Sequence, residues 1–203
     1  EKVIEAQLTA GYESPSGFRA AFSKTFGSAP KGRMADPLLI EWIDTKLGPM
    51  MAICDDDHLF MLEFTVRKNM QRQLEQISKA HKRAIVPGRS KVTDQIASEL
   101  GGYFDGTLKT FSTPLAMTGT PFQKTVWGAL CDIPYGATQS YSELALTVGN
   151  ERAVRAVASS NANNGLALIV PCHRVIAKGG GLGGYAGGLE KKSWLIEHER
   201  RFS

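Results

Sequence analysis

"SYSELALTVGNERAVRAVASSNANNGLALIVPCHRVI" runs from Ser140 to Ile176 and carries both the architecture and the chemistry of the chain. Ser140 followed three residues later by Glu143 is a capping box, which predicts a helix beginning at Tyr141. Asn150 is placed to cap a second helix, "ERAVRAVASSNAN", with Arg152, Arg155 and Ser159 along one face and small residues on the other. The pair reads as a helix-turn-helix. Alanine and serine let a backbone come close to its target, and the arginines supply phosphate or groove contacts. An Ala/Val-rich helix buried in a core explains the same spacing and stays open here. "LALIV" then reads as a buried strand stopped by Pro171, which places Cys172 at a strand end rather than inside a core.

Working outward, Phe122, Val126, Trp127 and Leu130 line one face of a helix that ends before Pro134. Far upstream, "LLIEWIDT", "PMMAICDD" and "HLFMLEFT" are short apolar runs separated by Gly-Pro and by Asp55, Asp56 and Asp57. They predict an antiparallel meander. The Asp triplet is better read as a solvated turn than as a metal site, because no ligands follow at calcium-loop spacing. Two helices follow, on Met70, Leu74, Ile77 and on Val92, Ile96, Leu100. Strands and then segregated helices make this part α+β. His58 and His81 stand alone and read as ordinary surface or core residues. In the first stretch, Ser14-Pro15 starts a helix faced by Phe18, Ala21, Phe22 and Phe26, with Arg19, Ser23 and Lys24 on its outer side. Periodicity alone favours a plain helical hairpin there.

The chain has 203 residues and net charge +4, with Lys and Arg outnumbering Asp and Glu by five to three over 1–33 and by eight to four over 150–203. Positive charge at both ends is where a polyanion would dock, and uneven surface lysines explain it as well. No apolar run reaches the roughly 18 residues of a membrane span, and no basic-then-apolar leader opens the chain. A cytoplasmic protein is expected. The chain does not open with Met, and we read it as the tail of a longer protein with regulatory domains upstream. Cys54, Cys131 and Cys172 are odd in number and never paired as C-x-x-C, so neither a disulfide framework nor a metal site is expected. Cys54 and Cys131 read as small buried hydrophobes.

Cys172 reads differently, because His173 and Arg174 beside it supply the cationic surroundings that lower a thiol pKa. On extended backbone, neighbours point to opposite faces, so His173 would reach the sulfur only through a water. A third group should orient the imidazole, and Glu197, His198 and Glu199 are all candidates. Gly179, Gly181 and Gly184 form a G-x-G-x-x-G pattern without its βαβ setting. We read them as a loop whose backbone approaches a flat ligand, with Tyr185 as an aromatic wall.

"IPYGATQSYSELA", "RAVRAVASSNANN", "IVPCHRVI" and "GLGGYAGGLEKKSWLIEHE", in that order, resemble the O6-alkylguanine-DNA alkyltransferases. "AGYESPSGFRAAFSKTFGSAP" resembles the second helix-turn-helix of AraC-type regulators, which join an alkyltransferase in the bacterial adaptive-response type. The resemblance implies an AraC-type remnant over 1–33, a small ribonuclease H-like domain over 34–115 and a winged-helix-like catalytic domain over 116–203. It implies that Cys172 accepts the alkyl group irreversibly, that His173 is the water-mediated base, that Glu199 holds His173 and that Asn164 holds the turn. Tyr141 would rotate the nucleotide and Arg155 would fill the vacated stack. The carbonyls of Cys172 and Val175 would read the guanine amine, the Ala186 N–H would reach O6, and Tyr185 would bound the alkyl pocket. It implies no cofactor and no metal, and a monomer acting on duplex DNA with O6-alkylguanine, or O4-methylthymine, at the nucleoid of a bacterium, with self-alkylation coupled to transcription. Two alternatives remain at this point: a Cys-His-Glu hydrolase, and a non-transferring DNA-binding regulator or alkyl-base sensor.

Overall fold

A computed structural model describes residues 36–65 and 70–203. The helix-turn-helix expected over 1–33 lies outside the described residues. The described chain divides into two compact units.

The first comprises 36–44, 49–98 and 113–118. Strands β1 (Leu38–Ile43), β2 (Met50–Cys54) and β3 (Leu59–Phe64) form the expected antiparallel meander. β2 and β3 are buried at every position, which is why they read as continuous apolar runs rather than alternating ones. Helix α1 (Met70–His81) then crosses over to a short strand, β4 (Ile85–Pro87), that pairs parallel with β1 and completes the order β3-β2-β1-β4. The sequence reading missed β4, since three residues ending in proline leave no periodicity to detect. Leu74 and Ile77 of α1 pack with Ile40, Ile53, Met61 and Val86 in one apolar cluster. The Asp triplet is a turn: Asp55 Oδ1 accepts from the N–H groups of Asp57 (2.9 Å) and His58 (2.8 Å), and its other oxygen takes Arg83 Nη1 at 2.7 Å.

Helix α2 (Lys91–Phe104) contributes its last turns to the second unit, which holds 45–48, 99–112 and 119–203. Helix α3 (Pro121–Cys131) opens on a capping box between Thr120 and Gln123, with Pro121 at its first position. Val126, Trp127 and Leu130 are buried as expected, but Phe122 is 36% exposed and Cys131 is exposed rather than a core hydrophobe.

Helix α4 (Tyr141–Thr147) starts at the predicted box, with the Glu143 N–H on Ser140 Oγ at 3.2 Å and the Ser140 N–H on Glu143 Oε2 at 2.7 Å. Asn150 caps a 3-10 turn over Glu151–Ala153 that leads directly into α5 (Val154–Ala162). Val157, Ser160 and Asn161 of α5 are buried, while Arg152, Arg155 and Ser159 lie exposed on the other side. Trp127 Nε1 donates to the Ser160 carbonyl at 2.9 Å and ties α3 to α5. Two parallel residue pairs, β5 (Gln139–Ser140) with β6 (Val175–Ile176), bring the segment after Cys172 alongside the start of α4. Helix α6 (Leu189–Arg201) closes the unit, with Leu195, Ile196, His198 and Glu199 buried. The α+β class holds. Among the described residues no helix is long and apolar enough to cross a membrane.

Candidate active site

The segment "LALIV" is buried but is not a strand. Its residues turn, with Leu168 at φ 71° and hydrogen bonds from the Ile169 N–H to the Ala167 carbonyl and from the Val170 N–H to the Leu166 carbonyl. A left-handed leucine ends any sheet ladder, and the apolar content that suggested a strand serves a tightly folded core segment instead. Cys172, His173 and Arg174 then form one 3-10 turn. The extended backbone assumed for His173 is therefore corrected, and so is the exposure expected of Cys172, which is only 8% exposed.

Asn164 organises this turn. Its Nδ2 donates to the Val170 carbonyl (2.8 Å) and to Cys172 Sγ (3.2 Å), and its Oδ1 accepts from the Leu166 N–H (2.9 Å). One amide thus spans the coiled segment and touches the sulfur.

Behind the turn, α6 supplies Glu199, and the three candidates for an imidazole partner separate cleanly. Glu197 is exposed and accepts from Ser193, His198 bonds the Tyr103 carbonyl, and Glu199 Oε1 meets His173 Nε2 at 2.8 Å. Glu199 also accepts from Arg174 Nε (2.8 Å) and Nη2 (3.0 Å), from the Tyr103 hydroxyl (2.9 Å) and from the Gly136 N–H (3.2 Å). Burial by itself would raise the carboxyl, but His173 and Arg174 outweigh it and hold Glu199 at about 2. An ionised carboxylate on Nε2 fixes the proton there and leaves Nδ1 as the basic nitrogen. That Nδ1 is buried and has no hydrogen-bond partner among the described residues. Burial pushes the His173 pKa below its ordinary value, so the ring is neutral and able to take a proton. The arrangement combines a thiol, a neutral base and a carboxylate whose charge Arg174 balances.

The thiol opens onto a cavity of about 430 Å³ lined by Tyr141, Ala158, Asn161, Cys172, Tyr185 and Ala186, together with Ala162 and Gly184. Tyr141 at the head of α4 lies against Gly183, where a Cβ would come within 3.0 Å of its ring and where φ is +66°. Only glycine fits both demands. The Tyr141 hydroxyl reaches the Gly184 carbonyl at 3.5 Å. Gly184 and Tyr185 of the glycine-rich loop line the cavity, whereas Gly179 and Gly181 are not among its lining residues.

Of the residues read from sequence, Cys172, Tyr141, Tyr185 and Ala186 line this cavity, while His173, Glu199 and Asn164 stand behind the thiol. Val175 is not among the lining residues, and its carbonyl already accepts from Lys192 Nζ. Arg152, Arg155 and Ser159 occupy the exposed face of α5.

Sequence reasoning missed three residues and misassigned a fourth: Arg174, expected to lend its charge to Cys172, instead gives it to Glu199 and donates to the Ile133 carbonyl. Tyr103 is 96 residues from the carboxylate it bonds, a separation that leaves no local signal. Lys192 is fully buried, donating to the Val175 and Gly184 carbonyls, and burial pushes its pKa down to about 8. Only its place among α6's apolar positions could have flagged it. Asn161 lines the cavity.

A cavity floored by a thiol, with a base–carboxylate pair behind it and two capped helices beside it, is the kind of site a cysteine-dependent protein presents. Residues 121–201 match the family model described as 6-O-methylguanine DNA methyltransferase, DNA binding domain. The methylated-DNA–protein-cysteine methyltransferase of Methanosarcina barkeri is 40% identical over 161 residues, 77% of this chain and 94% of that protein. The Salmonella typhimurium protein of the same name is 40% identical over 165 residues, 80% of this chain and 95% of its own length. The crystal structure of Mycobacterium tuberculosis OGT in complex with DNA is 35% identical, covers 81% of this chain and 94% of that one, and superposes with a TM-score of 0.69. The chain belongs to the methylated-DNA–protein-cysteine methyltransferase family.

Proposed function

We propose that Cys172 is the acceptor in a direct-reversal DNA repair reaction that takes the alkyl group from O6-alkylguanine, O4-methylthymine being the second base to test. The observation that carries this is the buried thiol at the cavity floor, with the His173–Glu199 pair behind it. An O6-alkyl group occupies the pairing edge of its base, so the nucleotide must leave the stack to reach Cys172. Arg155, exposed on α5, fills the gap from the minor groove, Arg152 and Ser159 contact the backbone, and Tyr141 turns the nucleotide. The Cys172 proton passes through a water to His173 Nδ1, and Glu199 stabilises the imidazolium that results. The thiolate attacks the alkyl carbon, the carbon–O6 bond breaks, and its electron pair stays on the guanine, which then takes up a proton.

A thioether does not hydrolyse under mild conditions, so each molecule reacts once. The protein acts as a monomer on duplex DNA in the cytoplasm. The test mixes it with an equimolar duplex carrying one O6-methylguanine and follows intact mass and peptide maps. One methyl group on the Cys172 peptide, stopping at one per molecule, is expected. Tight binding without a mass change would make it a sensor, and repeated turnover would make it a hydrolase.

A further inference from the structure

Oε1 of Glu199 receives more donors than it has lone pairs. His173 Nε2 (2.8 Å), the Tyr103 hydroxyl (2.9 Å) and Arg174 Nη2 (3.0 Å) all meet this one oxygen, while Oε2 takes Arg174 Nε (2.8 Å) and the Gly136 N–H (3.2 Å). A carboxylate oxygen offers about two acceptor sites, so the donors on Oε1 share its charge and each draws on what the others can hold. The Tyr103 contact is firmly seated. Its side chain is fully buried among the rings of Phe104, Phe111, Tyr135 and His198, and its carbonyl takes His198 Nε2 at 2.8 Å, so two successive residues of α6 grip it at both ends. Burial, with the Glu199 charge adding to it, raises the phenol well above the ordinary tyrosine range, and the hydroxyl therefore stays protonated and donates.

We infer that Tyr103 is a positioning residue that sets the proton affinity of His173: its hydroxyl draws part of the Oε1 charge away from the Nε2 proton, which keeps the ring neutral and ready to take the Cys172 proton at Nδ1. This rests on the proposed function for the use of that proton. The other titratable groups around the pair are engaged differently. Arg174 also reaches Oε1 but carries the charge that balances the carboxylate, and Lys192 donates to the Val175 and Gly184 carbonyls. Cys172 Sγ accepts from Asn164, Tyr135 and Tyr185 meet Tyr103 and His173 through their rings, and His198 bonds backbone. Besides His173 itself, Tyr103 is the neutral side chain hydrogen-bonded to Oε1 among the described residues.

The test varies donor strength at position 103 while keeping the ring. Tyr103→Phe removes the hydroxyl, and 3-fluorotyrosine placed at position 103 makes it a stronger donor. Tyr135→Phe is the control, since it removes from the same aromatic cluster a hydroxyl with no hydrogen bond among the described residues. Without the competing donor, Oε1 binds the Nε2 proton more tightly and the ring stays protonated to higher pH. At pH 7 the His173 Nε2–H resonance should therefore move downfield in Tyr103→Phe and upfield in the fluorinated protein. The acid limb of single-turnover methyl uptake should rise by about one pH unit in the first and fall in the second. Tyr135→Phe should match wild type in both. If Tyr103→Phe fails to fold, the sign of the shift in the fluorinated protein decides. In a protein that takes up methyl, a resonance or limb that stays fixed, shifts of one sign in both proteins, or a rate that falls equally at every pH would overturn the inference. A wild type that takes no methyl group while the resonance still follows donor strength would instead defeat the proposed function and leave the tuning of His173 standing.

Discussion

Two buried thiols sit in opposite surroundings. Cys54, at the end of β2, is fully enclosed, with Ser90 Oγ at 3.2 Å and the carboxylates of Asp55, Glu41 and Asp56 in its neighbourhood. Burial pushes its pKa up to about 11, and those negative charges push the same way. Cys172 is nearly as buried, yet it faces a cavity, accepts from Asn164 Nδ2, and shares mutual attraction of charged forms with Lys192. Burial does most to raise the Cys54 thiol and the negative charges beside it add to that, whereas Cys172 has a donor on its sulfur and an opening onto a cavity.

That contrast can be broken first by chemical labelling. With Cys131→Ser removing the exposed thiol, iodoacetamide at pH 7 should modify Cys172 and spare Cys54. A pKa raised from 9.0 to about 11 leaves the Cys54 thiolate about 100-fold scarcer than for an ordinary cysteine, before any steric protection. Equal labelling of the two, read by peptide mapping, would erase the distinction.

Glu199→Gln should act on one thiol only. Without the carboxylate the imidazolium loses its partner, and methyl uptake is expected to fall about 100-fold. Arg174 is left buried without a counter-charge, at a cost of about 3 kcal/mol in urea unfolding. Reduction of Cys54 accessibility or of its labelling rate is not expected. A variant that keeps the wild-type rate would remove Glu199 from the mechanism.

The smallest effect is on pH-dependent stability. Both Glu199 and His173 have folded pKa values below their unfolded ones, so the unfolded chain binds protons first and stability falls as pH falls. Glu199 contributes about 3 kcal/mol, lost between pH 4.5 and about 2, and His173 adds in the same direction below its ordinary value of 6.5. Urea midpoints at pH 7, 5 and 3 should decline in wild type and less steeply in Glu199→Gln. A flat profile in wild type would mean that Glu199 is not held ionised by its partners.

Much of this was legible because it is local. The capping box at Ser140, the amphipathic helices and the apolar runs of β1 to β3 are patterns of neighbouring residues, and the backbone obeys them. The reading of "LALIV" failed because a continuous apolar run records burial but not backbone shape, and Leu168 reverses the chain. Phe122 failed because helical periodicity fixes a face but not how far its end stays covered, and Cys131 because residue type alone does not say which side of the helix is buried.

By itself the sequence determined the two helices ahead of the thiol, the proline that sets Cys172 apart and, through the order of its motifs, the family. Spacing left Glu197, His198 and Glu199 open and the family resemblance pointed to Glu199, whereas only the tertiary structure decided that Tyr103 and Arg174 share its carboxylate with His173 and that Asn161 is among the cavity's lining residues. The reason is reach: capping and periodicity act over three or four residues, whereas a buried carboxylate collects its donors from wherever the fold brings the chain, here from residues 25, 26, 63 and 96 positions away.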